Sequence, residues 1–243
     1  MPHIEVEALS RLFPQPGGEP VRAVREVSFS AEAGAVFGLL GANGAGKSTT
    51  MRILATLLSP TGGTARVYGH DVVAAPGAVR RSLGYLSASS GLPTRVSCRE
   101  VLALFAALHQ VSDVADAVDR AIDRFGITAF ADRRIETLSS GMRQRVRIAA
   151  AAVHDPPVLI LDEPTAGLDV VAADKLLQAI VQARDRGTCV LFSTHVLREA
   201  EKICSRIAVI HEGSLRAIGS VEELKAQTAT GSLEAAFLAL VAP

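Results

Sequence analysis

The fold of this chain is indicated most directly by the stretch Gly41-Ala42-Asn43-Gly44-Ala45-Gly46-Lys47-Ser48. An apolar run at 35–40 precedes it, and residues 48–58 follow with apolar side chains at helical spacing. A glycine-rich stretch that ends in Lys-Ser between a buried strand and a helix is the pattern of a phosphate-binding loop. Backbone N–H groups and the positive end of the following helix attract phosphate oxygens. The stretch therefore predicts that the chain binds a nucleoside triphosphate.

Two further groups of side chains predict hydrolysis. In the loop, Lys47 is expected to contact the β- and γ-phosphates, and Ser48 to offer its hydroxyl to Mg²⁺. The apolar run Val158–Leu161 ends in Asp162-Glu163, which would lie at the same edge of the sheet. Neighbouring side chains on a strand project in different directions. Asp162 can therefore bind the metal while Glu163 orients or deprotonates the attacking water.

A histidine follows a third apolar run. Val190–Phe192 ends in Ser193-Thr194-His195. A lone histidine is more often structural, but one at the carboxyl end of a core strand can reach the γ-phosphate. The position favours a functional role for His195.

The order of the elements indicates an α/β fold. Continuously apolar runs alternate with helical patterns, which is typical of a mainly parallel sheet covered on both faces. Residues 84–152 are different, because they read as a mainly helical subdomain inserted into a core of about 1–83 and 153–220. Capping patterns at Ser97–Glu100 and Ser220–Glu223 predict helix starts in this insert and in a short helical tail at 221–243.

Composition excludes several classes of protein. The 243 residues have 49% hydrophobic and 21% charged content and a formal net charge of zero, so nothing global attracts the chain to nucleic acid. No apolar run reaches the roughly 18–20 residues of a membrane span, and the N-terminus has no secretory pattern. The scattered Cys98, Cys189 and Cys204 favour neither disulfides nor a zinc site. The chain is expected to be cytoplasmic.

A fourth motif suggests which family the sequence resembles. Leu138–Arg145 precedes an alanine-rich helix that Pro156-Pro157 ends. By itself this stretch is a helix start, with Ser139 or Ser140 as the cap. Together with the motifs above, however, the sequence resembles the ABC ATPases over residues 3–240. The resemblance implies a P-loop NTPase core with an N-terminal antiparallel β subdomain and the inserted helical subdomain.

The resemblance also implies roles for individual residues. Phe13 would stack on adenine, Glu163 would be the catalytic base and His195 the switch histidine, with Lys47 also contributing to catalysis. Pro164–Asp169 would be the dimer-contact D-loop. Family members work as head-to-tail dimers, so the partner would be a second copy of this chain or a homologous ATPase. Ser139 and Gly141 of one subunit would close on ATP held by the other. ATP would also contact the phosphate loop, through Gly41, Asn43, Gly44, Ala45, Gly46, Lys47, Ser48 and Thr49.

Two departures narrow the resemblance. The helix start reads Ser140 and Met142 where the common form has Gly and Gln, which is similar to the branch of exporters for sodium, drugs and related solutes. Ala88, within Ser87–Leu92, stands where the family usually carries a Gln that touches Mg²⁺. Relatives in the exporter branch also lack this Gln, so the departure is interpreted as a trait of the branch. How the metal shell is completed stays open.

The leading hypothesis is the ATPase subunit of an exporter. A separate membrane permease would dock near residues 84–108 and hold the chain at the inner face of the cell membrane. An end at Pro243, without the added regulatory domain of many sugar importers, mildly favours export. One alternative is a soluble ABC ATPase of DNA repair or translation, although no long coiled-coil insertion or second cassette is present. Another is a nucleotide-gated module without turnover, suggested by Ala88 but opposed by Asp162 and Glu163.

Overall fold

A ten-stranded sheet runs through the chain, which a computed structural model describes at residues 2–88 and 91–242. The strands are β1 (Pro2–Phe13), β2 (Val21–Glu32), β3 (Val36–Leu40), β4 (Gly62–Val67), β5 (His70–Asp71), β6 (Leu83–Leu86), β7 (Val158–Asp162), β8 (Cys189–Thr194), β9 (Arg206–His211) and β10 (Ser214–Gly219). Their order across the sheet is β5-β4-β1-β2-β10-β9-β3-β8-β7-β6.

The centre of the sheet is parallel and buried. Every residue of β3, β7 and β8 is buried, as their continuously apolar sequences predict. Leu40 pairs with Thr194, and Asp162 pairs with Ser193. The carboxyl ends of three strands therefore meet at one edge of the sheet.

Helices cover this sheet. They are α1 (Lys47–Leu54), α2 (Pro76–Arg81), α3 (Cys98–Leu108), α4 (Val114–Arg124), α5 (Ser140–Ala152), α6 (Val170–Asp185), α7 (Leu197–Ile203), α8 (Val221–Thr228) and α9 (Leu233–Val241). Two 3₁₀ turns, Thr128–Phe130 and Ile135–Thr137, precede α5. Among the described residues, no helix combines the length and apolar character that crossing a membrane requires.

The helical insert consists of α3, α4 and α5, which share one apolar core with the underside of the sheet. This core includes Val101 and Leu102 of α3 and Val118 and Ile122 of α4. The Ser97–Glu100 capping box is present at the start of α3.

The start of the insert differs from the predicted residue 84. Residues 84–86 belong to β6 and pair with β7, with Gly84 opposite Leu159 and Leu86 opposite Leu161. This short apolar segment gains more by extending the buried parallel sheet than by joining the helices. The helices of the insert begin only at Cys98.

Antiparallel strands form the N-terminal side of the sheet. β1 pairs with both β2 and β4, and β4 pairs with the short β5. This region joins the core through β2 and β10, which pair at one position, Ser214 with Arg25. Next to that pair, the Arg25 N–H donates to the Gly213 carbonyl at 2.8 Å.

The C-terminal part follows the hairpin of β9 and β10, which are antiparallel. The Ser220–Glu223 capping box opens α8. Leu224 of α8 and Leu233 and Ala236 of α9 are buried against Ile207 and Val209 of β9. The tail therefore packs on the core.

Candidate active site

The phosphate loop joins β3 to α1 and lies tightly against neighbouring backbone. Gly46 has a φ of 107°, and a Cβ there would lie 2.5 Å from the Ala23 carbonyl oxygen. A Cβ on Gly41 would lie 2.3 Å from the Ile210 carbonyl oxygen. Only glycine fits such approaches, so the loop is held between β2 and β9 with its path fixed.

Lys47 is the buried cation of this loop, with 3% exposure. Its Nζ donates to the carbonyls of Gly41 at 2.8 Å and Ala42 at 3.1 Å. The same Nζ lies 3.2 Å from Oε1 of Glu163. A cavity of about 200 Å³ lies over the loop, lined by Ala23, residues 43–49 and Glu163. A positive charge and a carboxylate therefore border the same small space.

Asp162, at the end of β7, is linked to the loop through hydroxyl groups. Ser48 Oγ donates to Asp162 Oδ1 at 3.0 Å, and Ser193 Oγ donates to the same oxygen at 2.8 Å. Asp162 Oδ2 is buried and accepts no hydrogen bond from the described residues. An unpartnered carboxylate oxygen beside a hydroxyl provides the hard oxygen ligands that Mg²⁺ prefers. Ser48 and Asp162 thus fit the metal-binding role predicted for them.

Glu163 has an uncommon backbone conformation. Its φ of 46° lies in the left-handed region, which costs free energy for a residue with a Cβ. The turn is held because the Glu163 N–H donates to Ser193 Oγ at 2.9 Å. Ser193 therefore fixes both acidic residues, since it also donates to Asp162. The sequence places Ser193 and Thr194 at the end of an apolar run, but it does not indicate that Ser193 bridges the two acidic residues.

The Glu163 carboxylate lies between two basic side chains. Its Oε1 faces Lys47, and its Oε2 is 3.4 Å from His195 Nδ1. His195 is about half exposed, whereas Lys47 is buried. The structure thus brings together five predicted residues from three strand ends, namely Lys47, Ser48, Asp162, Glu163 and His195.

A further acidic residue, not predicted from the sequence, organises the neighbouring turn. Glu199 Oε2 accepts hydrogen bonds from Thr165 Oγ1 at 2.9 Å and Thr194 Oγ1 at 2.7 Å. The Val196 N–H donates to Thr194 Oγ1 at 2.9 Å. Glu199, in the first turn of α7, therefore joins the segment after Glu163 to the end of β8. No spacing in the sequence indicates this contact.

The pKa of Tyr85 is shifted by its surroundings, which include Asp162. Burial raises the pKa of the Tyr85 phenol, and the negative charge of Asp162 raises that pKa further. Tyr85 belongs to β6, next to β7. The phenol is therefore neutral beside the negative charge of Asp162.

Besides Gly41, whose carbonyl accepts from Lys47, three predicted ATP-binding residues do not line the cavity over the phosphate loop. Phe13 ends β1, where the Arg11 guanidinium lies 4.7 Å from the centre of its ring. Ser139 caps α5 by accepting the Met142 N–H at 3.3 Å. Gly141 packs α5 against α6, because a Cβ there would lie 2.9 Å from Ala172 Cβ.

The segment with the second sequence departure contacts α5. The carbonyls of Ser87 and Ala88 lie 2.6 and 3.4 Å from Nη2 of Arg147. Of the stretch Ser87–Leu92, positions 89 and 90 lie outside the described residues. Arg147 has no counterpart among the sequence predictions, because nothing local to α5 indicates its partner.

A family comparison decides what kind of protein carries this site. The model of the ABC transporter family matches residues 24–166, more than half of the chain. The chain belongs to the ABC transporter family. The match to this ABC protein includes the phosphate loop, the α5 start and the Asp162-Glu163 pair.

Characterised relatives agree with this assignment. This ABC protein is 37% identical over 207 residues to the ABC transporter ATP-binding protein NatA of Bacillus subtilis, covering 84% of both chains. It is 43% identical over 215 residues to the daunorubicin/doxorubicin resistance ATP-binding protein DrrA of Streptomyces peucetius, covering 87% of this chain and 65% of that one.

Solved structures confirm the fold. An ATP-binding subunit of an ABC transporter matches with a TM-score of 0.85 and 29% identity, covering 98% of both chains. A dimeric ATP-binding cassette bound to ADP and Pi matches with a TM-score of 0.81 and 22% identity, covering 89% of this chain and 98% of that one. The α/β fold of the ABC ATPases is therefore confirmed, and the ABC protein described here is an ATP-binding ATPase of that family.

Proposed function

We propose that two copies of this ABC ATPase bind ATP head to tail and power a separate membrane permease that exports ions, drugs or other small solutes. The observation that carries the proposal is the Glu163 carboxylate, held between Lys47 and His195 beside the phosphate loop. Such an arrangement places a base next to the space that the γ-phosphate would enter.

Each side chain of the cluster has a role in the proposed hydrolysis. Lys47 contacts the β- and γ-phosphates, and Glu163 orients the attacking water and accepts its proton. His195 contacts the γ-phosphate from the other side of Glu163. Ser48 and Asp162 would hold Mg²⁺, which when bound neutralises charge on the phosphates. Ser193 keeps both acidic residues in place through its hydroxyl.

The proposed dimer accounts for the residues that do not line the cavity. Ser139 and Gly141 lie at the start of α5, where unpaired N–H groups can bind an anion. In a head-to-tail pair, this helix start would close on the ATP held by the other copy, with adenine stacked on Phe13. Each ATP then contacts two helix N-termini only in the closed dimer, so that ATP stabilises this state selectively.

The proposed permease contact rests on α3. Leu104 and Leu108 of this helix are 47% and 68% exposed, within the groove expected near residues 84–108. Apolar side chains in an exposed row favour a protein partner. The names of two relatives, an ABC transporter ATP-binding protein and a daunorubicin/doxorubicin resistance protein, support transport and drug export. We place the chain at the inner face of the cell membrane on this basis.

The substitution Glu163→Gln tests the hydrolytic part of the proposal. It should lower kcat at least about a hundredfold, because the base is lost. It should also trap an ATP-bound dimer, visible by light scattering after gel filtration with ATP and Mg²⁺. The matched control Glu201→Gln, on the exposed side of α7, should hydrolyse ATP as the wild type does and should not accumulate the dimer.

Two outcomes would contradict the proposal. Near-zero turnover in both the wild type and the Glu163→Gln variant would favour a nucleotide-gated module. A Glu163→Gln variant that stays monomeric with bound ATP would contradict the proposed head-to-tail dimer. Substituting Lys47 with Ala should abolish ATP binding and dimerisation together, which verifies that the trapped species depends on nucleotide.

A further inference from the structure

Arg147 is a partly buried cation in the middle of α5 whose partners are not carboxylates. Its Nη2 donates to the Ser87 carbonyl at 2.6 Å, and its Nη1 donates to Gln144 Oε1 at 2.7 Å. Arg147 forms no ion pair with any acidic side chain of the described residues, and burial lowers the pKa of its guanidinium. A partly buried charge held only by neutral acceptors costs free energy, so its geometry requires an explanation.

The hydrogen bonds of Arg147 continue to the catalytic turn. Gln144 is only 7% exposed, and its Nε2 donates to the Pro164 carbonyl at 2.5 Å. Pro164 directly follows Glu163, whose backbone already has a left-handed φ. A continuous chain therefore runs from the carbonyls of Ser87 and Ala88, through two side chains of α5, to the residue after Glu163.

The guanidinium suits this bridge because it is planar and carries five donors in a fixed fork. One arm can hold the segment before α3 while the other fixes the orientation of the Gln144 amide. That orientation matters, because only the NH₂ side of the amide can donate to Pro164. With the amide reversed, two oxygens would face each other. Arg147 therefore determines which end of Gln144 faces the catalytic turn.

We propose that Arg147 is a positioning residue, which sets the placement of Glu163 through Gln144 and Pro164 and links that placement to the Ser87–Ala88 backbone. The inference rests on the proposed role of Glu163 as the base. A movement of the Ser87–Ala88 backbone would displace Arg147, turn Gln144 and shift the Glu163 carboxylate. The proposed permease contact on α3 and the hydrolytic centre would thereby be coupled within one copy of the chain.

Steady-state ATPase kinetics of Arg147→Met test the inference. Methionine keeps much of the apolar stem and removes all five donors. We expect kcat to fall at least about tenfold, while KM and the affinity for ATP change less than about twofold. A residue that only packs would not separate kcat from KM in this way. The control Arg120→Met lies on α4, where Arg120 pairs with Asp155, and it should keep the wild-type kcat.

Gln144→Met provides a second variant that does not depend on how Arg147→Met folds. It should lower kcat to a similar extent, and the double variant should be no slower than the slower single variant, because both act in one chain. Arg147→Lys should recover only part of kcat, since one ammonium group lacks the fork. Circular dichroism and ATP affinity identify correctly folded variants.

The inference is overturned if folded Arg147→Met and Gln144→Met both retain the wild-type kcat. It is also overturned if their effects on kcat multiply in the double variant, or if kcat and ATP affinity fall in parallel. Failure of the proposed function looks different, because the wild type would then turn over no faster than Glu163→Gln. An active wild type, an inactive Glu163→Gln and a fully active Arg147→Met would reject only the role of Arg147.

Discussion

At the scale of single residues, the site depends on side chains that serve two partners each. Ser193 accepts the Glu163 N–H while donating to Asp162, and Glu199 accepts from two threonines. Each such residue couples the ends of β7 and β8, which the chain itself connects only through α6. A substitution at one of these positions would disturb two groups of the site at once, which makes it more damaging than the loss of one hydrogen bond.

A partly buried histidine pair lies away from this site. The rings of His109 and His154 stack with their centres 3.5 Å apart. Both ring nitrogens of His154 are buried without a hydrogen-bond partner among residues 2–88 and 91–242. Burial, and then the charge of His109, lowers the pKa of His154 from 6.5 to about 4, although Asp155 and the Leu83 backbone act in the opposite direction.

This lowered pKa predicts a loss of stability in acid. Between pH 6.5 and about 4 the unfolded chain binds a proton at His154 that the folded chain does not, so the free energy of unfolding falls as the pH is lowered through that window. The full effect is at most about 3 kcal/mol. Urea unfolding at about pH 7 and about pH 5 should show a smaller pH-dependent loss in His154→Leu than in the wild type. His70→Leu is the control, and an equal loss in all three proteins would contradict the prediction.

At the scale of elements, the start of α3 is fixed by a capping box. Ser97 Oγ accepts the Glu100 N–H at 3.2 Å, and Glu100 Oε2 accepts the Ser97 N–H at 2.7 Å. Two N–H groups that the helix itself cannot satisfy are thereby paired. The cap fixes where the helix begins, and with it the direction in which Leu104 and Leu108 point.

Substitution of Ser97 with Ala should therefore destabilise the fold by about 1 kcal/mol. Urea unfolding followed by circular dichroism measures the change. Ser97→Thr keeps the accepting hydroxyl and should stay within a few tenths of a kcal/mol of the wild type. If Ala and Thr at this position gave the same stability, the box would contribute nothing.

Elements with a local sequence signal could be predicted from the sequence. Capping boxes, the β9–β10 hairpin and the polar ends of the core strands have signals within a few residues, and all of them are present in the structure. The start of the insert was placed too early, because periodicity cannot assign an apolar run as short as Leu83–Leu86 to a strand or a helix.

Long-range contacts carried no such signal. Arg147 and Ser87 are 60 residues apart, and Gln144 and Pro164 are 20 apart, so only the folded arrangement brings them together. The proximity of five site residues could be predicted, because the carboxyl ends of parallel strands lie at one edge of a sheet. These residues are Lys47, Ser48, Asp162, Glu163 and His195. The roles of Phe13, Ser139 and Gly141 depend on ATP and a second copy, and they stay predictions.

At the scale of the whole molecule, the permease contact can be tested through the exposed face of α3. The double substitution Leu104→Arg and Leu108→Arg should abolish co-purification of the membrane protein from detergent-solubilised membranes, because two charges would have to be buried. ATP binding should be unchanged. Leu57→Arg is the matched control, because Leu57 follows α1, outside the helical insert, and is 59% exposed. This variant should leave co-purification intact.

Other results would contradict the transporter proposal. A wild-type chain that is recovered with a soluble partner and never with membranes would point to a soluble ABC ATPase. Retention of the membrane protein by the α3 double variant would place the contact elsewhere on the surface.

The junction between β2 and β10 has a mechanical consequence. The two parts of the sheet are paired at one position, and the Ala23 carbonyl beside it faces the backbone of both Gly46 and Gly213. Few backbone hydrogen bonds therefore join the N-terminal strands to the core, and a shared apolar core holds the two parts together. Phe13 pairs with Val21, four residues before Arg25 on β2. A nucleotide held at both its base and its phosphates would therefore add a second connection between the two parts. Nucleotide exchange would then alter the stiffness of the whole subunit.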